Sequence, residues 1–183
     1  VIVAIFAPII APYEPNTSML DLNSPGTRGD SPCIHLLGCP ADQPQHLMGL
    51  DSNIRDEFSR VVYGSRVSLQ IGFLTVSFAI VVGTIIGAIA GYSGGRTDNI
   101  LMRLMDVVLS FPSLILAIAI VTVLGTGLVN AMLAIGIVSI PVYARVMRAS
   151  VLSVRETDFV TASRALGESS SGILSRRILP NAL

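Results

Sequence analysis

Two long uncharged stretches constrain this chain of 183 residues more than any other feature. Residues 67–92 contain no charged side chain, and neither do residues 107–144. A stretch of more than about 18 apolar residues is long enough to cross the hydrocarbon core of a membrane. Charged residues make up only 13% of the chain, against about 25% in soluble domains. The sequence therefore predicts an all-α, polytopic transmembrane bundle, and it excludes a disordered tail, a disulfide-stapled mini-protein and a conventional soluble enzyme.

The second uncharged stretch is too long for one span. As a single helix it would measure about 57 Å, nearly twice a hydrocarbon core of ~30 Å. The sequence Gly125-Thr126-Gly127 marks the turn. Pro112 and Pro141 fall inside the resulting helices, where each removes a backbone hydrogen bond and favours a kink. The predicted spans are 67–92, 99–124 and 128–147.

A pair of glycines in the first of these spans allows two interpretations. Gly83 and Gly87 are four positions apart, a spacing at which small residues let two helix backbones approach closely in lipid. Glycine is also generally common in membrane helices. The spacing alone does not separate a packing role from ordinary composition.

The polar segments between the spans define the remaining organisation. Residues 1–12 are apolar but too short to span alone, and we interpret them as the end of a truncated first span. Residues 13–66 are rich in Pro, Asn, Asp, Ser and Gly, which is typical of a water-exposed loop. Residues 155–180 form a second polar segment, and 181–183 are interpreted as the start of a missing fifth span. The chain would then be a fragment of a longer subunit.

The arginines predict the orientation of these segments. The chain has no lysine, and four of its 12 arginines lie in the 13–66 loop while eight follow the first predicted span. Cytoplasmic loops carry the excess of positive residues. We therefore expect the 13–66 loop to be extracytoplasmic and the 155–180 segment to be cytoplasmic.

The two cysteines of the chain lie in the predicted external loop. Cys33 and Cys39 are six positions apart, with His35 between them and His46 nearby. An oxidising compartment permits a disulfide, and free thiols are the second possibility. A zinc site is a third, although the spacing matches no tight ligand pattern.

The 155–180 segment shows helical periodicity. Thr157 or Asp158 can cap a helix, and Gly167 can end it. Its predicted apolar face consists of Phe159, Ala162 and Leu166. This face suits either docking to a cytoplasmic partner or contact with lipid headgroups.

A second short helix is predicted just after this one. It would begin near residues 169–171, expose Ile173 and Leu174, and end at Pro180. Together the two helices would form a compact helix–glycine–helix element between membrane spans.

The same segment carries a family resemblance. Residues 159–167, FVTASRALG, followed by 178–182, ILPNA, resemble the cytoplasmic EAA loop of ABC importer permeases, in particular the C-type subunit of the dipeptide/oligopeptide branch. Residues 49–69, 98–112 and 141–145 resemble further family segments in the same order. The departures are Thr161 in place of a glutamate, Ser163 in place of an alanine, Ile54 in place of a glycine and Arg177 in place of a histidine.

The resemblance implies a transport subunit that is not itself an enzyme and binds no cofactor or metal. Partner subunits would bind ATP and Mg, in keeping with the absence of a Gly-x-x-x-x-Gly-Lys phosphate loop from these 183 residues. The implied partners are a second permease subunit, two ATP-binding subunits, an extracytoplasmic peptide-binding protein and the plasma (inner) membrane, with no nucleic acid. The residues implied to dock the ATPase are Phe159, Ala162, Ser163, Arg164, Leu166, Gly167, Ile173 and Leu174.

Some polar residues near the spans have open roles. Arg103 and Asp106 are three positions apart and could pair with each other or with the second permease, for structure or for gating. Ser110, Thr122 and Asn130 could line a substrate path, although the sequence does not select them.

Other functions remain as alternatives. A permease for nickel or another small solute would belong to the same branch. An ion-coupled secondary transporter would usually place acidic groups near the middle of the membrane, whereas the central parts of these spans are uncharged. A membrane scaffold is the third alternative.

Overall fold

The structure is a computed structural model that describes residues 1–19, 27–40 and 43–182. Residues 20–26 and 41–42 of the predicted external loop, and residue 183 of the predicted fifth span, lie outside this part of the chain. The described residues contain helices and two single-pair β-bridges but no strand. The all-α prediction is thus confirmed. The chain divides into two compact units, residues 1–72 and 73–183.

The first unit contains two short helices and a small core. Helices α1 (Ile2–Ile5) and α2 (Ala7–Ile10) are followed by a 3₁₀ turn at His35–Leu37. Met19, Leu50 and Ile54 form the buried core, with Tyr13 packed against it.

Helix α3 (Glu57–Ser93) begins ten residues before the predicted span. Its start is set by Asp56, whose Oδ2 accepts the backbone N–H of Ser59 at 2.7 Å. This bond is the side-chain cap that satisfies an otherwise unpaired N–H in the first helical turn. With 37 residues, α3 is about 55 Å long and exceeds the ~30 Å that a span requires.

The turn before α3 contains an unusual backbone conformation. Ile54 has a φ of +59°, a region in which a β-branched residue is a rare outlier. Its side chain is buried in the small core, and its carbonyl accepts the N–H of Met19 at 2.8 Å. The turn therefore holds a strained residue at the position where the resembling family has glycine.

We expect Ile54→Gly to give a more stable turn than Ile54→Ala. Both changes remove the buried side chain, but only glycine relieves a left-handed strain of about 1–2 kcal/mol. Amide hydrogen exchange across residues 49–60 measures the difference, expected as about fivefold slower exchange in the glycine variant. Val62 lies inside α3 and provides the control, because alanine is there expected to be the more stable replacement. Faster exchange in Ile54→Gly than in Ile54→Ala would contradict the strain argument.

The second unit differs most from prediction at the 99–124 span. The sequence predicts one helix with a kink at Pro112, whereas the structure has two helices, α4 (Gly95–Leu109) and α5 (Ser113–Leu124), that meet at an angle of 92°. The break falls at Pro112, which lacks an N–H and disfavours helical geometry at the residue before it. By length and apolar character, the described residues thus include two helices able to cross a membrane, or three spans if α4 and α5 form one.

Helix α6 (Leu128–Arg155) runs eight residues beyond the predicted span. Pro141 lies inside it without ending the helix, since one missing N–H removes only a single hydrogen bond. The loop between α5 and α6 contains Gly125 and Gly127, both with positive φ, in agreement with the predicted turn.

Three glycines of α3 lie where this helix crosses α6. A Cβ at Gly83 would be 2.9 Å from the Ile140 carbonyl oxygen, and one at Gly91 would be 2.9 Å from the Arg148 carbonyl oxygen. A Cβ at Gly87 would collide with the carbonyl oxygen of Ala144. The Gly-x-x-x-Gly pair therefore allows close backbone approach within this chain.

The chain ends in a compact helical segment. It comprises α7 (Asp158–Ala165), α8 (Ser170–Gly172), a π-helical turn (Ile173–Ile178) and α9 (Leu179–Ala182). The helix predicted to end at Pro180 continues to Ala182, because Pro180 is the second residue of α9, and a proline is tolerated in the first turn of a helix. The core of this region consists of Ala88, Met147, Val151, Val160, Ile173 and Ile178.

Candidate functional site

Helix α7 is the centre of the candidate site, and its ends follow local signals. Thr157 occupies the N-cap position but makes no capping bond, because its hydroxyl donates to the Val154 carbonyl at 2.6 Å. Asp158 in the first turn and Arg164 in the last both favour the helix, since their charges oppose the partial charges at its two ends.

Gly167 ends α7 as the sequence predicts. Its φ is +79°, and its N–H donates to the Arg164 carbonyl at 3.0 Å. The next N–H, from Glu168, donates to the Ser163 carbonyl at 3.1 Å. These two bonds form a Schellman motif, which requires a left-handed residue at the position of Gly167.

The two faces of α7 have opposite environments. Val160 is completely buried in the core shared with α6. On the other side, Phe159, Ala162 and Leu166 are exposed together, with Leu166 at 88% and Phe159 at 44% exposure. We call these three residues the α7 ridge. The face predicted from periodicity thus lies on the surface, and Arg164 and Gly167 are exposed beside it.

Three members of the predicted docking set lie off this ridge, and the prediction that Ile173 and Leu174 are exposed is wrong. Ser163 is buried, and its hydroxyl donates to the Phe159 carbonyl at 2.9 Å. Ile173 is 1% exposed, and Leu174 is half-buried against the same core. Burial of these apolar side chains against α6 and α7 is more favourable than exposure to water.

The family departures at Thr161 and Arg177 are both on the surface. The Thr161 hydroxyl donates to the Thr157 carbonyl at 3.4 Å, and a threonine cannot form the ion pair that glutamate can make at this position of the resembling family. Arg177 pairs with Glu168 at 3.1 Å and links the turn after α7 to the π turn. This pair is half exposed, and such pairs contribute little to stability.

Ion pairs connect α4 to α6. Asp98 accepts two bonds from the guanidinium of Arg148, each 2.5 Å long, and Asp106 pairs with Arg145 at 2.5 Å. Of the two alternatives for Arg103 and Asp106, a pair between them is not formed, and Asp106 pairs instead with Arg145 of the neighbouring helix. Arg103 is exposed and has no ion pair among the described residues.

The polar residues considered for a substrate path bond to nearby backbone. Asn130 donates to the carbonyls of Leu124 and Gly125, both at 3.0 Å, and so closes the turn between α5 and α6. The hydroxyls of Ser110 and Thr122 each donate to the carbonyl three residues earlier. Each of these polar side chains therefore has a backbone hydrogen-bond partner and does not need a ligand to satisfy it.

The first unit contains a disulfide and a buried polar pair. Cys33 and Cys39 are joined, with their Cα atoms 5.4 Å apart. The backbones of Cys33 and His46 exchange two hydrogen bonds, and the buried His46 Nδ1 lies 3.1 Å from Asp56 Oδ1. The described residues contain no group of three or more potential metal ligands. Sequence reasoning missed the histidine–aspartate pair, because the sequence does not show which acid approaches His46.

Asp51 organises the turn that contains Ile54. Burial raises the pKa of this carboxyl, but hydrogen bonds from the backbone N–H groups of Arg55 and Asn53 and from the Arg55 guanidinium lower that pKa by more. Asp51 also pairs with Arg60 of α3. The carboxylate thus stays ionised at neutral pH and holds the turn against the start of the helix.

A family model matches most of the second unit. Residues 83–183 match the family described as "Binding-protein-dependent transport system inner membrane component". These residues include the α3–α6 crossing and the whole candidate site.

Curated relatives match over most or all of the chain. The dipeptide transport system permease protein DppC of Alkalihalophilus pseudofirmus is 41% identical over 183 residues, which are 100% of this chain and 55% of that protein. The di/tripeptide transport system permease protein DppC of Pseudomonas aeruginosa is 41% identical over 180 residues, 98% of this chain and 56% of the relative. The glutathione transport system permease protein GsiD of Pectobacterium atrosepticum is 40% identical over 138 residues, 75% of this chain and 46% of the relative.

The chain spans about half the length of these relatives. Its apolar helices and the segment after α6 both fall within the matched residues. The family model matches more than half of the chain, and the DppC relative of Alkalihalophilus pseudofirmus matches the chain over its full length. This protein therefore belongs to the family of inner membrane components of binding-protein-dependent transport systems.

Proposed function

We propose that this chain is a permease subunit of an ATP-driven importer that moves di- or oligopeptides across the plasma (inner) membrane. Two partner subunits bind ATP with Mg and hydrolyse it, a second permease subunit completes the path, and an extracytoplasmic protein delivers the peptide. The observation that carries the proposal is the α7 ridge, an exposed apolar surface on a helix whose opposite face is anchored in the core.

The α7 ridge has the properties of a docking surface. Its three apolar side chains stand three and four residues apart, the spacing with which one helix face fits a groove. Val160 on the other face is buried in one core with Met147 and Val151 of α6. A partner that binds the α7 ridge therefore binds a helix whose orientation is fixed by its buried face.

The core beneath α7 suggests how docking is coupled to the spans. Ala88 of α3, Met147 of α6 and Val160 of α7 belong to one buried cluster. Densely packed interiors transmit displacement because they are not easily deformed. Movement of the ATPase would thus reach α3 and α6 as a shift of a packed body.

The substrate class comes from the relatives. Their names refer to dipeptides, di/tripeptides and glutathione, all of which are short peptides. We therefore assign short peptides to this chain in preference to nickel or another small solute.

Co-purification of the full-length protein from its native membrane tests this function. We expect two ATP-binding subunits and a second permease to accompany it, and we expect the membranes to take up a labelled dipeptide only with ATP and the external binding protein. Uptake of nickel but not of peptide would overturn the substrate assignment. Recovery without any ATPase, with uptake driven by an ion gradient, would overturn the ATP-driven mechanism.

The proposed orientation places the 13–66 loop outside and residues 155–180 inside. We expect a single cysteine at Ser31 to react with an impermeant reagent in intact cells and one at Ser170 to react only after lysis. Both positions are exposed, and Cys33 and Cys39 are replaced by serine in both variants. Labelling of Ser170→Cys alone in intact cells would reverse the orientation.

A further inference from the structure

Arg155, the last residue of α6, contacts the end of a different helix. Its Nη1 donates to the carbonyl oxygens of Gly91 and Tyr92 in α3, at 3.1 and 3.2 Å. Its Nε donates to the carboxylate of Glu156 at 3.1 Å. The guanidinium therefore uses its planar arrangement of donors on three acceptors, which a lysine ammonium cannot reproduce in the same geometry.

The two carbonyls are groups that α3 cannot satisfy by itself. The last carbonyls of a helix have no partner within it and carry its partial negative charge. The Ala90 carbonyl accepts the N–H of Gly94 at 3.0 Å, and the next two carbonyls accept from Arg155. The guanidinium of α6 thus caps the C-terminus of α3 by bonding to carbonyls that have no partner within that helix.

The same guanidinium lies beside the turn between α3 and α4. A Cβ at Gly94 would be 3.4 Å from Arg155 Nη1, and Gly94 and Gly95 both have positive φ. Helix α4 leaves this turn and is held to α6 by the two bonds between Asp98 and Arg148. The end of α3, the start of α4 and the end of α6 therefore meet around Arg155.

This junction is directly connected to the α7 ridge. Only Glu156 and Thr157 separate Arg155 from α7, and the Thr157 N–H donates to the Val154 carbonyl at 3.1 Å. A displacement of α7 therefore pulls on the residue that holds α3.

We propose that Arg155 is a positioning residue that transmits movement of α7 to the adjoining ends of α3 and α4. This inference rests on the proposed function of the α7 ridge as the ATPase docking surface. Without the guanidinium, α7 can still dock, but its movement reaches α3 and α4 less completely.

The functional test replaces Arg155 by methionine, which keeps much of the apolar side chain and removes every donor. We expect the full-length protein to bind the ATPase within twofold of wild type while ATP-driven peptide uptake falls at least tenfold. Hydrolysis by the bound ATPase should continue but lose its stimulation by the peptide-loaded binding protein. The matched control is Arg96→Met, because Arg96 is exposed beside the same turn and has no ion pair among the described residues.

A structural measurement separates this proposal from the proposed function. Spin labels at Ser93→Cys and Thr161→Cys, with Cys33 and Cys39 replaced by serine, report the distance between the end of α3 and α7 without any ATPase. We expect one narrow distance distribution with Arg155 and at least a doubled width in the Arg155→Met background. An unchanged width, normal uptake by Arg155→Met, or an equal loss in Arg96→Met would each overturn the transmitting role. Failure of the wild-type protein to bind any ATPase would overturn the proposed function, while the spin-label result would still decide whether Arg155 joins α3 to α7.

Discussion

Gly87→Val is expected to prevent stable packing of α3 against α6. A Cβ at this position would lie 2.9 Å from the Met147 Cβ and would collide with the Ala144 carbonyl oxygen. Backbone atoms cannot rotate away, so the helices must separate and lose contacts along the whole crossing. We expect the free energy of unfolding to fall by about 3 kcal/mol or more. Thermal unfolding of the purified full-length protein and its recovery from membranes measure this effect.

Gly72→Val is the matched control for that experiment. Gly72 lies in the same helix, but a Cβ there would have no neighbour within 4 Å. The two variants share the helix-propensity change and differ in the steric collision. Equal stability of the two would show that close approach at Gly87 is not required.

Ala162→Asp is expected to abolish ATP-driven uptake while leaving the protein in the membrane. Ala162 lies at the middle of the α7 ridge and is exposed, so the new carboxylate remains in water until a partner covers it. Burying that charge in an apolar interface then costs several kcal/mol. We expect ATPase association measured by pull-down to fall at least a hundredfold, with recovery from membranes close to wild type.

Gly167→Val tests the same surface through its backbone. No neighbour lies within 4 Å of a Cβ at this position, so the effect comes from a left-handed φ that costs valine about 1–2 kcal/mol. The ridge would be misplaced and association weakened, although less than by Ala162→Asp. For Ala162→Asp the matched control is Ser171→Asp, which adds a carboxylate at an exposed position of the same segment outside the ridge. Normal association and uptake in both Ala162→Asp and Gly167→Val would leave α7 as a connector on the lipid surface.

The membrane class and the end of α7 were predictable because each depends on nearby residues. An uncharged stretch of sufficient length favours a helix in hydrocarbon wherever it lies, since its backbone must satisfy its own hydrogen bonds. Gly167 similarly needs only the carbonyls of the preceding turn. The exposed ridge followed from the periodicity of α7, and the Gly-x-x-x-Gly pair indicated a close helix approach, although not which helix would fill it.

Partners distant in the sequence were decided by tertiary structure alone. Asp106 had an arginine three residues away, yet it pairs with Arg145 from α6. Ile173 and Leu174 were predicted to be exposed, but the π turn directs them into the core beneath α7. Arg155 showed no local sign of bonding to α3, 63 residues earlier. Hydrophobic periodicity and capping depend on residues within about four positions of each other, whereas pairing between helices depends on how their surfaces pack, which short-range patterns do not encode.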